Sequence, residues 1–206
     1  MLKFAVMASG GGTDFQSLID AVSAGKINAE ICCLIAGKPG IYAIERARKA
    51  GIAAEVVQKK EFAGADEFDE AILKTLQRNQ ADFVVLAGYL NIVGPKTIRA
   101  YKNKIINIHP ALIPSFCGMG MYGKHVHEAV IDYGVKYSGA TVHFVNEEAD
   151  AGPIIMQETV PVLENDTPET LAARVLETEH ILLPKAVALM ADGKLRVEGR
   201  TVRILK

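Results

Sequence analysis

Short apolar runs alternate along the first half of the chain with longer segments in which apolar residues recur every three or four positions. The runs "FAVMA", "EICCLIA", "AAEVV", "DFVVLAG" and "KIINIH" are separated by "DFQSLIDAVSAG", "IYAIERARKAG", "DEFDEAILKTLQRN" and "GPKTIRAYKN". Apolar, β-branched runs of this length predict strands, and the 3.6-residue spacing predicts helices. Regular alternation of the two implies βαβ units and a parallel sheet. "FVVLA" has no polar position, as expected of a strand covered by helices on both faces.

The pattern changes after His109. A glycine-rich stretch "CGMGMYG" leads into a helical "KHVHEAVIDYG", then two strand-like runs joined by an acidic turn in "SGATVHFVNEEADAGPIIMQETVPV". This predicts an antiparallel addition to the same sheet. "TPETLAARVLETEHILLPKAVALMADG" predicts a long helix with Thr167 as N-cap, Pro168 at its first position and Gly193 just past its end. Pro184 predicts a kink or a break in it. The tail "RVEGRTVRILK" predicts a small hairpin. The fold class is therefore α/β: a Rossmann-like, open, mostly parallel sheet flanked by helices, with an antiparallel C-terminal addition, in one domain over residues 1–206.

Composition narrows the partners. Of 206 residues, 50% are apolar and 23% charged, with a formal net charge of -1. That balance favours a packed core over disorder and leaves no basic excess for nucleic acid. The longest apolar stretch, "FVVLAGYLNIVG", is too short to cross a bilayer, and the first residues do not form a signal peptide, so a cytoplasmic protein is expected. Cys32, Cys33 and Cys117 form no CxxC motif and read as packing residues of a reducing compartment.

Candidate chemistry begins at "MASGGGTDF". Gly10, Gly11 and Gly12 fall in the first βα turn, where an open α/β sheet gathers ligands at the carboxyl ends of its strands. Glycines admit positive φ and let an anion approach main-chain amides, and the following helix N-terminus favours negative charge. Ser9 and Thr13 offer hydroxyls, and Asp14 suits a helix N-cap. No lysine follows as a P-loop requires, and Phe15 stands where a dinucleotide fingerprint needs glycine. A single-phosphate site and a mere tight turn both remain open readings.

The second stretch is "IINIHPALIPSF". Asn107 and His109 lie two apart on a strand and so share a face, and Pro110 ends that strand. Asp150, in the turn "NEEADAGPI", offers a carboxylate partner for His109. In acyl transfer an Asn amide and a protonated imidazole can both donate to the oxygen on which negative charge builds. A nearby carboxylate would raise the histidine pKa and keep the ring cationic near neutrality. By position alone a histidine at a strand end is more often a satisfied structural residue than a catalytic one.

"MASGGGTDFQSLIDA", "VVLAGYLNIV", "NIHPALIPSF", "TVHFVNEEADAGPIIMQ" and "ARVLETEHILLP", in this order over nearly the whole chain, resemble the phosphoribosylglycinamide formyltransferase family of purine biosynthesis. The resemblance implies transfer of a formyl group from 10-formyltetrahydrofolate to the glycine amine of glycinamide ribonucleotide (GAR), without a metal. It implies Asn107 and His109 as oxyanion stabilisers, His109 also as proton donor, and Asp150 as the group that raises its pKa and relays the amine proton. Gly11, Gly12, Thr13 and Asp14 would cradle the GAR phosphate, with Glu179 on its ribose or amine. Leu90, Asn91, Ile92 and Val93, with Asn107 and the "NEEAD" turn, would hold the folate. A monomer or a homodimer fits.

The chain departs from the family where arginine or lysine is often found: Ala65 and Asn91 stand there, so the folate's glutamate tail lacks those cations; Lys59 or Lys60 can substitute, although exposed lysines are more often just a solvated face. The loop from Cys117 to Gly123 is longer than the family's common form, and Gly118, Gly120 and Gly123 suit a mobile lid. Formyltetrahydrofolate deformylase and methionyl-tRNA formyltransferase are similar at the Asn, His and Asp positions. The glycine loop, Glu179, the near-neutral charge and the absence of their extra domains favour the nucleotide acceptor. A ligand-binding module without catalysis would not need all three polar groups. His125, His127 and His143 lack the spacing of a helical metal site, and His143 and His180 read as structural.

Overall fold

Strand β1 (Leu2–Ala8) organises the first half because five consecutive residues, Phe4 to Ala8, are completely buried. It pairs in parallel with β2 (Ala29–Ala36) on one side and β4 (Phe83–Leu86) on the other, and β2 pairs in parallel with β3 (Ala54–Val56). The order β3-β2-β1-β4 is that of a doubly wound sheet. The computed structural model describes all residues, Met1–Lys206, and resolves into two compact units, Met1–Ile106 and Asn107–Lys206.

In the first unit the crossovers are α1 (Thr13–Ser23), α2 (Tyr42–Lys49), α3 (Ala65–Arg78) and the short α4 (Pro95–Ala100). α1 buries Phe15, Leu18 and Ile19, and α3 buries Phe68, Ile72 and Leu76. Each such side chain contributes about 1.5–3 kcal/mol by leaving water. Phe4 and Phe83 stack across β1 and β4 with centroids 5.0 Å apart. β3 is shorter than "AAEVV" predicts, because it lies at the sheet edge with Ala54 and Val56 exposed.

α4 has six residues and is held from outside. The buried Asp69 of α3 accepts from Lys96 N (2.7 Å) and Thr97 N (3.2 Å) of its first turn, and from the Thr97 hydroxyl (2.5 Å). These bonds satisfy donors that a helix start leaves open. A Cβ on Gly94 would collide with the same carboxylate, so glycine is required for this approach.

The second unit opens with the last residues of β5 (Ile105–His109) and continues in the order β5-β6-β7-β9-β8. β6 (Tyr137–Phe144) and β7 (Ile154–Pro161) are antiparallel, as are β8 (Leu195–Glu198) and β9 (Thr201–Ile204). α5 (Lys124–Tyr133) and α6 (Pro168–Ala191) complete it. The mostly parallel sheet with antiparallel C-terminal strands, flanked by helices, is the fold class the pattern implied.

α6 starts as its sequence predicts. Thr167 caps it in a reciprocal pair with Thr170, and Asp166 receives both Arg174 guanidinium nitrogens at 2.7 and 2.8 Å. The predicted break at Pro184 does not occur: one helix runs through it. Leu182, Leu183, Ala186 and Val187 are buried around the proline, and their packing outweighs the lost N–H bond.

Candidate active site

The glycine loop is shaped by α2. Ala43 N donates to Gly10 O at 3.3 Å, and Arg46 Nε donates to Gly11 O at 2.8 Å. Gly12 takes the left-handed φ of 70°, and a Cβ there would meet the Ala43 methyl at 2.7 Å. Both the backbone angle and the close approach therefore demand glycine. In a planar trans peptide the carbonyl of one residue and the N–H of the next point in opposite directions. Since the Gly10 and Gly11 carbonyls face α2, the Gly11 and Gly12 amides face away from it. The first intrahelical bond of α1 runs from Gln16 N to Gly12 O, so the Thr13, Asp14 and Phe15 amides precede it. Successive amides turned to one side form a concavity for an anion.

Two details differ from expectation. The N-cap is Gly12, without a side-chain cap bond, and Asp14 is the second helical residue, buried, with its carboxyl pushed up to about 6 by burial. Ser9 Oγ is buried and accepts from Leu90 N at 3.0 Å, while Ser9 N donates to Gly88 O. Ser9 thereby ties the glycine loop to the 90–93 segment. In that segment Leu90 and Ile92 are 57% and 63% exposed, Asn91 is half-buried and Val93 is buried. Two apolar side chains are thus presented outward on a loop pinned by Ser9 at one end and by Asp69 beyond the other. Val93 belongs to the core.

In the second unit the structure brings Asn107, His109 and Asp150 together, and it adds His143. His143 Nδ1 lies 2.8 Å from Phe144 O and must carry a proton to donate to it. Its Nε2 is then a lone pair, and it accepts from Asn107 Nδ2 at 3.1 Å. That bond fixes which way the Asn107 amide is turned, leaving its second N–H for another acceptor. His109 Nε2 lies 2.8 Å from Phe116 O and donates to it. His109 Nδ1 faces Asp150 Oδ2 at 3.6 Å, and Asp150 Oδ1 is 3.7 Å from His143 Nε2.

The loops that carry these groups are fixed in turn. The Thr141 hydroxyl donates to Ala111 O at 2.6 Å and accepts from Ile113 N and Gln157 Nε2, setting the path toward Phe116. Phe116 and Asp150 have φ of 50° and 54°, a left-handed conformation that costs non-glycine residues about 1–2 kcal/mol each. Gly118 N donates to Asp150 Oδ2 at 2.9 Å, joining the glycine-rich loop to the carboxylate. Gly118, Gly120 and Gly123 all have positive φ. Gly152 passes so close to Phe144 O that no Cβ fits.

Electrostatics revises one expectation. Burial lowers the His109 pKa below its ordinary 6.5, outweighing the Asp150 carboxylate and the Phe116 carbonyl, which raise it. The resting ring is therefore neutral at pH 7, not cationic. Burial also opposes ionisation of Asp150, but its contact with His143, the Gly118 N–H and its attraction for His109 once that ring is protonated together hold its carboxyl below the usual range. A carboxylate thus faces a neutral imidazole whose Nδ1 is ready to take a proton. Glu179 is buried on α6.

Residues 2–187 match the family model described as formyl transferase. The chain belongs to the formyl transferase family. Phosphoribosylglycinamide formyltransferase of Haemophilus influenzae is 40% identical over 198 residues, 96% of this chain and 91% of that protein. The trifunctional purine biosynthetic protein adenosine-3 of Gallus gallus is 40% identical over 196 residues, and the chain spans 19% of its length. The crystal structure of glycinamide ribonucleotide transformylase 1 from Symbiobacterium toebii superposes with a TM-score of 0.95 at 40% identity, covering 100% of this chain and 95% of that one.

For this formyl transferase the residue missed by sequence reading is His143. Its signal was present: a histidine inside the buried run "TVHFV" must satisfy two ring nitrogens, and its period-two neighbour Thr141 is also polar and buried. Arg46 gave no signal, since "ERARK" reads as a solvated helix face.

Proposed function

We propose that the chain is a phosphoribosylglycinamide formyltransferase, moving the formyl group of 10-formyltetrahydrofolate to the glycine amine of GAR in purine biosynthesis. The observation that carries this reading is the Asn107 amide whose orientation His143 fixes, with a second N–H to give, beside a His109 ring whose Nδ1 faces the Asp150 carboxylate. Residues 1–206 act as one functional domain in this reading, and the protein works in the cytoplasm. No helix is long and apolar enough to cross a membrane.

The folate co-substrate supplies an activated formyl group on nitrogen. The exposed apolar pair Leu90 and Ile92 fits its flat ring system, which explains two outward-facing aliphatic side chains on a pinned loop. Gly11, Gly12, Thr13 and Asp14 hold the acceptor's phosphate through main-chain amides. Glu179 accepts from its ribose or amine.

As the amine attacks the formyl carbon, charge builds on the formyl oxygen. Asn107 donates its second N–H to it, and because His143 already holds the amide, no reorientation is needed at that moment. The proton lost by the amine passes by way of Asp150 to His109 Nδ1, forming an imidazolium paired with that carboxylate. His109 then gives the proton to the nitrogen from which the formyl group departs. The atoms balance: one C–N bond forms, one breaks, and one proton changes nitrogen. His109 starts neutral because it must first accept, and Asp150 makes its charged state reachable.

Tetrahydrofolate release from 10-formyltetrahydrofolate, followed spectroscopically with and without GAR, tests the assignment. Release that depends on GAR and yields formyl-GAR is the expected result. Equal release without GAR would make the protein a hydrolase of the same donor.

A further inference from the structure

We infer that Arg46 is the residue that positions the glycine loop for the acceptor's phosphate and sets the enzyme's preference for a phosphorylated acceptor. This rests on the reading of residues 11–14 as the phosphate cradle.

α2 carries three cations in its last turn, and they differ in what they touch. Arg48 pairs with Glu45 at 3.0 Å on an open surface, and Lys49 lies near the exposed Tyr42 ring and hydroxyl. Arg46 instead reaches into the glycine loop. Its Nε donates to Gly11 O at 2.8 Å and its Nη1 to Gln16 Oε1 at 2.9 Å, while its guanidinium sits over the Tyr42 ring at 5.0 Å from the centroid. One planar group thus spans the loop before α1 and the first turn within it. None of these contacts is a carboxylate, so they leave the guanidinium's positive charge beside the loop.

Two consequences follow from that placement. Holding the Gly11 carbonyl toward α2 turns the Gly12 amide the opposite way, so the side chain acts on the anion through the peptide plane. Without it the Gly11–Gly12 peptide is free to rotate, because glycine has no Cβ to resist rotation. The uncancelled charge adds a field that favours a dianionic phosphate over a neutral hydroxyl at the same place.

The test compares GAR with its phosphate-free riboside as acceptors, using the full chain and variants Arg46→Met and Arg46→Lys. The readout is the ratio of kcat/KM for GAR to that for the riboside. We expect wild type to favour GAR strongly, Arg46→Met to cut the ratio at least tenfold through KM for GAR, and Arg46→Lys to cut it less. Lysine keeps the charge but not the two-pronged bond. Variants that keep the wild-type ratio would overturn the inference, as would Arg46→Met losing both acceptors equally, which marks a role in general folding. A wild-type enzyme that does not distinguish the two acceptors would instead remove the phosphate reading of the loop itself.

Discussion

In the proposed function, the glycine loop of the first unit and the polar cluster of the second solve opposite problems. The loop works through main chain: its specificity lies in where side chains are absent, and Ala43, Arg46 and Gln16 hold the peptides from behind. The cluster works through side chains: Asn107, His109, His143 and Asp150 are each held by a partner whose identity dictates tautomer or amide orientation. Binding a fully charged phosphate needs only fixed dipoles. Moving a proton needs groups whose charge can change, and the second unit carries them: His109, His127 and His143 are buried there and Asp150 is half-buried.

The comparison is sharpened most by His109→Ala. Removing the proton carrier is expected to lower kcat by about 10³-fold, within the range of general acid–base catalysis, with little change in KM for GAR. Single-turnover formyl transfer checks this, and a change confined to KM would dissolve the division of labour. Asn107→Ala removes one donor to the developing oxyanion and is expected to cost about 10²-fold in kcat. His143→Gln acts through Asn107, so its cost is about tenfold, near the worth of one hydrogen bond, and it vanishes when Asn107 is already alanine. A double-mutant cycle on kcat measures that coupling.

Gly12→Ala is the counterpart in the loop. It forces a left-handed φ on alanine and a clash with Ala43, and is expected to raise KM for GAR with a smaller effect on kcat and about 1–3 kcal/mol lost in stability. Steady-state kinetics with thermal unfolding separates the two effects. The smallest expected effect is on stability against pH. Burial depresses the His109 and His127 pKa values, so the unfolded chain binds more protons as pH falls below about 6.5. Their contribution is present above that value and is lost as pH falls through the depressed native values. Denaturant midpoints between pH 7.5 and 5 follow it, and His127→Asn flattens part of the slope.

Much of this was legible in the letters. Alternating periods gave the strands and helices in order, because a parallel sheet covered on both faces leaves strands almost wholly apolar, as at Phe83–Leu86. Asn107 and His109 were legible from the period of two, and Asp150 from its turn. What the sequence did not carry depends on distance across the fold. The His109 charge state is set by how deeply its neighbours bury it, which no local pattern records. His143 looked like core because it is core, and the role proposed for it uses its nitrogens within that core. Arg46 differs from Arg48 only in what the glycine loop brings beside it. Pro184 failed as a breaker because tertiary packing overrode a local rule.

The central claim is that a neutral His109 takes up a proton during formyl transfer. Nitrogen-15 NMR titration of the histidines, assigned with His109→Asn and His143→Gln, measures it directly in the resting enzyme. The account predicts a His109 midpoint below 6.5 with the proton on Nε2 at pH 7, and a still lower midpoint in Asp150→Asn. A His109 ring carrying protons on both nitrogens at pH 7 would contradict it.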